Sequence, residues 1–355
     1  MLPNYEYFSK FNWSSNPFTL SIKPELMVGY SQQTDSLLSH IHNDHKFAIL
    51  IGPTGSGKTT LLLWLKTQLM AYEKFFPYYI SKPPKKPENL ILLMKSIFGF
   101  NLLDKIRHKN LSFYDIQKFI FRKLKKRHLV LLIDEAHEFS ISGLEWIRTI
   151  GDSIPNFCVI LAGLPVFENK LEAKLPTLWM RITTKAYLNS LSMSETESLI
   201  SKRIENVGGN GINPFNSEAI NKIFELSGGF PREIIKNCDK LICEAAKKNI
   251  LTINKNFVDE VIITTNIPKS VELKVSITEK QKQILQLLNE FSNLTPSDIA
   301  EKLDTSHYKS KDNAIRSINN ILKRLFKDEL IQRKKMANSY VYFLSGKAKT
   351  ILTDA

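Results

Sequence analysis

Cysteine is scarce in this chain of 355 residues, which contains Cys158, Cys238 and Cys243. None of the three stands in the C-x-x-C spacing of zinc and dithiol sites, so the sequence gives no support for either kind of site. Free cysteines are usually buried, and they stay reduced in the cytoplasm. We therefore expect reduced core thiols and a cytoplasmic protein.

Long apolar runs and an export signal are also missing. No run approaches the ~20 apolar residues that cross a bilayer. The first residues, MLPNYEYFSKFNWSSNPF, lack the basic segment, apolar stretch and cleavage site of a secretory signal. With 43% hydrophobic and 24% charged residues, the composition is that of a soluble globular protein. The length favours two or three domains, each with its own core.

Acidic residues are too few to balance the basic ones, and the formal net charge is +14. The excess is uneven: residues 74–127 contain fourteen lysines and arginines against three acidic residues, and residues 311–349 contain ten against three. A run of charge is often a solvated face, but two separate basic regions favour a polyanionic partner such as nucleic acid. Residues 74–127 are consistent both with a DNA contact, in addition to any made by residues 311–349, and with a surface for another partner.

Strands and helices alternate over the first half of the chain. Four apolar runs have the length and composition of buried strands: residues 47–51, 77–80, 128–134 and 156–163. Their alternation with helical patterns predicts a parallel sheet covered by helices on both faces. After Leu191 the strand signals stop and helical patterns follow. The predicted division is an α/β domain over residues 1–190, a helical subdomain over 191–268 and a last domain over 277–355.

One glycine-rich segment carries a specific chemical signal. GPTGSGKT, residues 52–59, matches G-x-x-x-x-G-K-[ST] and lies directly after one predicted strand and before one predicted helix. The glycines let backbone N–H groups turn toward phosphates, and the helix N-terminus adds partial positive charge. We therefore predict a site for ATP with Mg²⁺. The predicted nucleotide contacts are Gly52, Pro53, Thr54, Gly55, Ser56, Gly57, Lys58, Thr59 and Thr60.

An acidic pair follows the third predicted strand, in LVLLIDEAH. Two acids at the end of a buried strand are costly without a cation, although a salt-bridged core pair is the alternative. Phosphoryl transfer requires mainly positioning and charge from the protein. We predict that Thr59 and Asp134 hold Mg²⁺, that Glu135 polarises the attacking water, and that Lys58 reaches the β- and γ-phosphates.

These motifs resemble those of AAA+ ATPases of the initiator type. Three segments that follow them carry the same resemblance: VILAGLPVFENKL, LWMRITTKAYLNSLSMSE and GGFPREIIKNCDKL. The resemblance covers about residues 5 to 250 and extends to general-secretion and transposition-helper ATPases and to archaeal origin-recognition initiators. It implies a P-loop AAA+ fold with a helical lid. It also implies that Arg181 is an arginine finger supplied to a neighbour in a homo-oligomer, and that Arg232 is a second sensor. The strand before Gly163 lacks the polar residue expected of a first sensor.

The last domain has the element order of a winged helix. TEKQKQILQLLNEF, LTPSDIAEKL and KSKDNAIRSINNILKRLF predict three helices, and LIQRKKMANSYVYFLS predicts a two-stranded ribbon. A recognition helix reads bases with its first residues and contacts phosphates elsewhere. Candidate contacts to double-stranded DNA are therefore Asn313, Arg316, Ser317 and Asn320 for bases, Lys323 and Lys327 for phosphates, and Arg333, Lys334 and Lys335 in the wing.

Three functions remain open from the sequence. The first is an ATP-dependent DNA-binding protein of the replication initiator or loader kind. The second is a transposition or recombination helper that polymerises on DNA without sequence choice. The third is a signalling ATPase whose winged helix binds protein.

Overall fold

The computed structural model describes residues 3–84, 88–99, 113–263, 278–291, 294–303, 310–327, 330–336 and 339–344. The chain forms two compact units, Met1–Ile267 and Pro268–Ala355. No helix within the described ranges is both long and apolar enough to span a membrane.

A five-stranded parallel sheet forms the centre of the first unit. Its strands are β1 Phe47–Ile51, β2 Phe75–Ile80, β3 His128–Ile133, β4 Phe157–Gly163 and β5 Ile182–Tyr187. They lie in the order β2-β3-β4-β1-β5 with every pairing parallel. The predicted parallel sheet is thus confirmed. Strand β5 was not predicted, because its side chains alternate between buried and exposed at the sheet edge and so lack the continuous apolar run of a central strand.

Helices cover both faces of the sheet. One face packs on α2 Ser31–His42 and α3 Lys58–Met70. The other packs on α4 Glu88–Phe98, α5 Phe113–Leu124, α6 Ile141–Ser153, α7 Pro165–Lys174 and α8 Pro176–Trp179. Successive residues of a strand point to opposite faces. Ile49 accordingly joins the second core and Leu50 the first, which explains why the central strands are apolar throughout.

A helical layer follows the sheet within the first unit. It contains α9 Met193–Glu205, α10 Ser217–Ser227, α11 Pro231–Lys248 and α12 Lys255–Val258, followed by a π-helical turn at Asp259–Ile263. Helix α9 begins at a reciprocal cap between Ser192 and Glu195. Helix α10 ends at Gly228, whose φ of 59° places it in the left-handed region.

The N-terminal segment packs with this helical layer. Helix α1, Pro3–Ser9, contributes Tyr7 and Phe8 to its core, and Trp13 and Phe18 follow. Buried aromatic rings contribute large apolar areas, so this segment holds the helical layer together although it lies far away in sequence. The division at residues 1–190, 191–268 and 277–355 stays a prediction.

The second unit contains three helices and an antiparallel hairpin. These elements are α13 Glu279–Glu290, α14 Pro296–Lys302, α15 Lys311–Lys327, β6 Ile331–Met336 and β7 Ser339–Leu344. Ile284, Leu288, Ile318 and Leu322 are among the residues of its core. Thr295 and Asp298 form a reciprocal cap at the start of α14.

Candidate nucleotide site

The glycine-rich loop connects the end of β1 to the start of α3. Gly57 directly precedes the helix with a φ of 98°, a conformation that residues with a Cβ rarely adopt. A Cβ on Gly52 would lie 2.6 Å from Ser56 Oγ and 3.0 Å from the Leu188 carbonyl oxygen. Both glycines are therefore required for the close turn that brings successive N–H groups to the helix N-terminus.

Lys58 lies buried inside this loop. Its Nζ donates hydrogen bonds to the carbonyl oxygens of Gly52 at 2.8 Å and Pro53 at 2.9 Å. Burial lowers the pKa of the Lys58 ammonium, which Glu135 and Asp134 oppose. The loop thus holds a cationic side chain close to its own backbone, at the end of the sheet where the acidic pair also lies.

Asp134 follows the last residue of β3 and is buried. Its Oδ2 accepts hydrogen bonds from Thr59 Oγ1 at 2.6 Å and from the Tyr79 hydroxyl at 3.1 Å, while its Oδ1 accepts from the Glu135 N–H at 2.9 Å. Burial and the Asp134 charge raise the pKa of Tyr79, so the phenol keeps its proton as a donor. A hydroxyl beside a buried carboxylate is a donor set that suits Mg²⁺.

Glu135 has a left-handed backbone, with a φ of 50°, which is unusual for a residue with a side chain. Its Oε2 lies 3.4 Å from His137 Nε2. Lys170 supports the turn that follows by donating to the carbonyl oxygens of His137 at 2.9 Å and Phe139 at 2.5 Å. The strained position therefore carries the carboxylate that the sequence predicts as catalytic.

Glu135, His137 and Glu138 also place donor atoms within 4.8 Å of one another. Lys82 lies 2.6 Å from Glu138 Oε2. A lysine at this distance offsets the charge of one of the two carboxylates.

A cavity of about 220 Å³ joins the loop to the helical layer. Its polar lining residues include Lys58, Thr59 and Glu135. Its apolar wall is formed by Leu20, Ile22, Leu26, Val28, Leu199 and Ile235. A cavity that combines phosphate-binding groups with an apolar wall suits a nucleotide.

Tyr30 links the loop to the segment after β5. It lines the cavity, and its hydroxyl donates to the carbonyl oxygens of Ser56 at 2.9 Å and Asn189 at 2.7 Å. Burial, with a contribution from Glu195, raises its pKa. The segment that leads into α2 is therefore part of this cavity wall.

The two predicted arginines lie in different surroundings. The Arg232 backbone N–H, at the start of α11, donates to the Gly55 carbonyl oxygen at 3.3 Å, and its side chain lines the cavity. Arg181 pairs through Nε with Asp152 Oδ1 at 3.0 Å and donates to the Thr177 carbonyl oxygen at 2.7 Å. It is absent from the cavity lining among the described residues. The fold thus brings Arg232, but not Arg181, to the nucleotide site of its own chain.

Two further residues of this site were not predicted. Tyr79 contacts Asp134 from the neighbouring strand, and Arg203 lines the cavity while donating to the carbonyl oxygens of Pro17 at 3.1 Å and Thr19 at 3.0 Å. The sequence marks neither residue, because each contact joins segments that are far apart along the chain.

The predicted DNA contacts belong to the second unit. Asn313, Arg316, Asn320 and Lys323 are exposed on α15, and Ser317 is half-buried. The Arg333 guanidinium lies between two exposed rings, 4.8 Å from the Phe326 centroid and 4.5 Å from the Tyr340 centroid. The side chains of Lys327, Lys334 and Lys335 lie outside the described residues.

The sheet order, the loop after β1, the acidic pair after β3 and the helical layer together define a P-loop AAA+ fold. Residues 41–171 match the family model described as an AAA domain. This part of the chain is therefore similar to AAA domains, whose members in general hydrolyse nucleotides.

Two curated relatives match the chain in sequence. An uncharacterized HTH-type transcriptional regulator of Methanocaldococcus jannaschii is 27% identical over 63% of this chain and 54% of the relative. General secretion pathway protein A of Aeromonas hydrophila is 28% identical over 67% of this chain and 45% of the relative. The chain spans about half the length of these relatives.

Solved structures share the fold at low identity. The Aeropyrum pernix ORC2 protein superposes with a TM-score of 0.66 at 14% identity, covering 96% of this chain and 98% of that one. The Aeropyrum pernix ORC1 protein in complex with DNA gives 0.55 at 12%, covering 95% and 94%. The Thermotoga maritima RuvB Holliday junction branch migration motor gives 0.53 at 17%, covering 92% and 95%. The resemblance in fold to archaeal initiators is thus confirmed.

Proposed function

We propose that this chain binds ATP with Mg²⁺ in the cavity and hydrolyses it. The observation that carries the proposal is the 2.6 Å contact between Thr59 Oγ1 and Asp134 Oδ2 at the mouth of the glycine-rich loop. A P-loop hydroxyl beside the acid of the next strand is the pair that positions Mg²⁺ in P-loop enzymes. The metal, when bound, neutralises charge on the transferring phosphoryl group.

Each remaining residue of the site has a role in this proposal. Lys58 exchanges carbonyl contacts for phosphate oxygens, and Glu135 orients and polarises the attacking water. Arg232 adds positive charge from α11 of the helical layer. Arg181 acts on the site of a neighbouring copy, so that hydrolysis depends on assembly. The nucleotide contacts are residues 52–60.

We further propose that the second unit is a winged helix that binds double-stranded DNA through α15 and the β6–β7 hairpin. Exposed polar and basic side chains on α15 support it, as does Arg333 of the hairpin, whose guanidinium contacts the Phe326 and Tyr340 rings. A DNA-bound structure and a helix-turn-helix regulator among the similar proteins agree with this role. The function that fits best is an ATP-dependent replication initiator or loader in the cytoplasm.

Duplex binding measured over a range of salt concentrations tests the DNA role. We expect Lys323→Ala to weaken binding to all sequences and to lower the salt slope by about 1, because one phosphate contact is lost. Arg316→Ala should cost about 1–3 kcal/mol at one preferred site. Lys282→Ala, an exposed change on α13, is the matched control. Salt-independent binding would contradict the proposal.

Footprinting distinguishes the alternatives. One protected sequence favours an initiator, whereas uniform ATP-dependent coverage favours a transposition helper. An active ATPase that shifts no DNA favours the signalling role.

A further inference from the structure

Tyr79 contacts Asp134, one of the two residues proposed to hold Mg²⁺. It is the next-to-last residue of β2 and pairs with Leu132 of β3, two positions before Asp134. The Asp134 N–H donates to the Ile80 carbonyl oxygen at 2.8 Å. The end of β2 thus fixes the backbone of Asp134, while the Tyr79 hydroxyl fixes its side chain at 3.1 Å.

The hydrogen bonds of Asp134 are divided unequally between its two oxygens. Oδ2 accepts from both Thr59 and Tyr79, which uses the two acceptor directions of a carboxylate oxygen. Oδ1 accepts from the backbone N–H of Glu135 and keeps a second direction for a metal-bound water. Removing the tyrosine hydroxyl would leave Oδ2 with Thr59 alone and would fix the direction of the carboxylate less firmly.

We propose that Tyr79 is a positioning residue that orients the Asp134 carboxylate for Mg²⁺. This inference rests on the proposed ATP site and goes beyond it by assigning a residue of β2 to metal binding. Partners of metal-binding carboxylates set metal affinity without touching the metal, and their loss typically costs about 10–100-fold. Tyr79 acts through Asp134 and is not among the described residues that line the cavity.

The test measures binding of a fluorescent ATP analogue to the full chain while Mg²⁺ is titrated. We expect Tyr79→Phe to raise the Mg²⁺ concentration for half-maximal enhancement by on the order of tenfold. Binding of the same analogue in EDTA should stay within about twofold of wild type, because the loop and the apolar wall are unchanged. A general loss of structure would lower both affinities together.

Tyr78→Phe is the matched control. Tyr78 is the preceding residue and packs with the core on the opposite face of the sheet, whereas Tyr79 packs with the core that contains α3. The control loses the same hydroxyl from the same strand and should keep the wild-type Mg²⁺ curve. A second variant, Tyr79→His, keeps an N–H donor and should need no more Mg²⁺ than Tyr79→Phe.

The outcomes distinguish a failure of this inference from a failure of the proposed ATP-binding function. Wild-type binding with an unshifted Tyr79→Phe curve would overturn the role of Tyr79 and leave the ATP site standing. An equal shift in Tyr78→Phe would also overturn it. Wild-type protein that binds no nucleotide in either condition would overturn both.

Discussion

The buried Asp134 carboxylate is surrounded by three donors, from Thr59, Tyr79 and the Glu135 backbone. A charge removed from water is costly unless it is hydrogen-bonded or paired. Here the donors come from the glycine-rich loop, from β2 and from the turn after β3. The same contacts that make the buried charge tolerable also fix its direction, and a metal site requires such a fixed direction.

Two substitutions in this site should affect binding and turnover differently. Glu135→Gln keeps the shape of the cavity but removes the carboxylate proposed to polarise water, so we expect normal ATP binding and a turnover lower by about 100-fold or more. Lys58→Ala removes the buried cation from the loop and should abolish both. ATP binding and phosphate release, measured side by side, check this. Equal hydrolysis by Glu135→Gln and wild type would refute the assignment of Glu135.

A buried histidine should make the free energy of unfolding depend on pH. It lies at the end of the strands opposite to the candidate nucleotide site. His40 Nδ1 lies 2.8 Å from Thr184 Oγ1, and burial, followed by the charges of His45 and His128, lowers the pKa of His40 to about 4. The unfolded chain takes up a proton below about pH 6.5 while the folded chain does not. As far as His40 is concerned, the free energy of unfolding therefore has its full value above about pH 6.5 and falls as the pH falls toward 4.

We expect His40 to account for a loss of roughly 2 kcal/mol in the free energy of unfolding between pH 7 and pH 5. Urea unfolding at the two pH values measures it, and His40→Asn should show a smaller loss. The exposed neighbour His42 provides the control substitution, His42→Asn. A His40→Asn protein with the full wild-type loss would contradict the prediction.

At the scale of elements, local signals made part of the site predictable. The loop before α3 and the acids after β3 each occupy consecutive residues beside a continuous apolar strand, so the motif and its context are read together. Other features could not be predicted from the sequence. Strand β5 gave no strand signal, because an edge strand alternates polar and apolar side chains. The packing of Trp13 with the helical layer and the contact of Tyr79 with Asp134 also gave none, because tertiary contacts join segments without a local pattern.

The segment before α2 is tied to the helical layer by Arg203 of α9. This arginine is buried and donates to the carbonyl oxygens of Pro17 and Thr19, and burial lowers its pKa. Residues 20–28, which contribute to the apolar wall of the cavity, follow directly. The arginine therefore connects the stability of the helical layer to the wall of the nucleotide cavity.

We expect Arg203→Met to lower the free energy of unfolding by about 1–3 kcal/mol, because two carbonyl oxygens lose their donor. It should weaken nucleotide binding in EDTA and leave the Mg²⁺ dependence unchanged, the reverse of the Tyr79→Phe pattern. Glu197→Met, which removes an exposed charge from the same helix, is the matched control. Unchanged stability and unchanged affinity would show that Arg203 does not hold this segment.

At the scale of the whole molecule, Arg181 is the residue that we propose makes ATP turnover depend on assembly. Its guanidinium is held by Asp152 and the Thr177 carbonyl oxygen, away from the cavity of its own chain. If it completes the site of a neighbouring copy, Arg181→Ala should lower hydrolysis only at protein concentrations where copies meet, and nucleotide binding by a single chain should not change.

Mixing two defective proteins tests this directly. A chain with Glu135→Gln cannot turn over ATP in its own site but still offers Arg181, whereas a chain with Arg181→Ala keeps its own Glu135. Mixed assemblies therefore contain sites with both residues intact, and we expect hydrolysis well above the sum of the two separate proteins, rising with total concentration. Glu135→Gln mixed with Lys58→Ala is the control, because each of those chains has a defect in its own site and no mixed site is complete. Activity that stays additive in the first mixture would place Arg181 outside the catalytic machinery, because a shared site is what makes the two defects complementary.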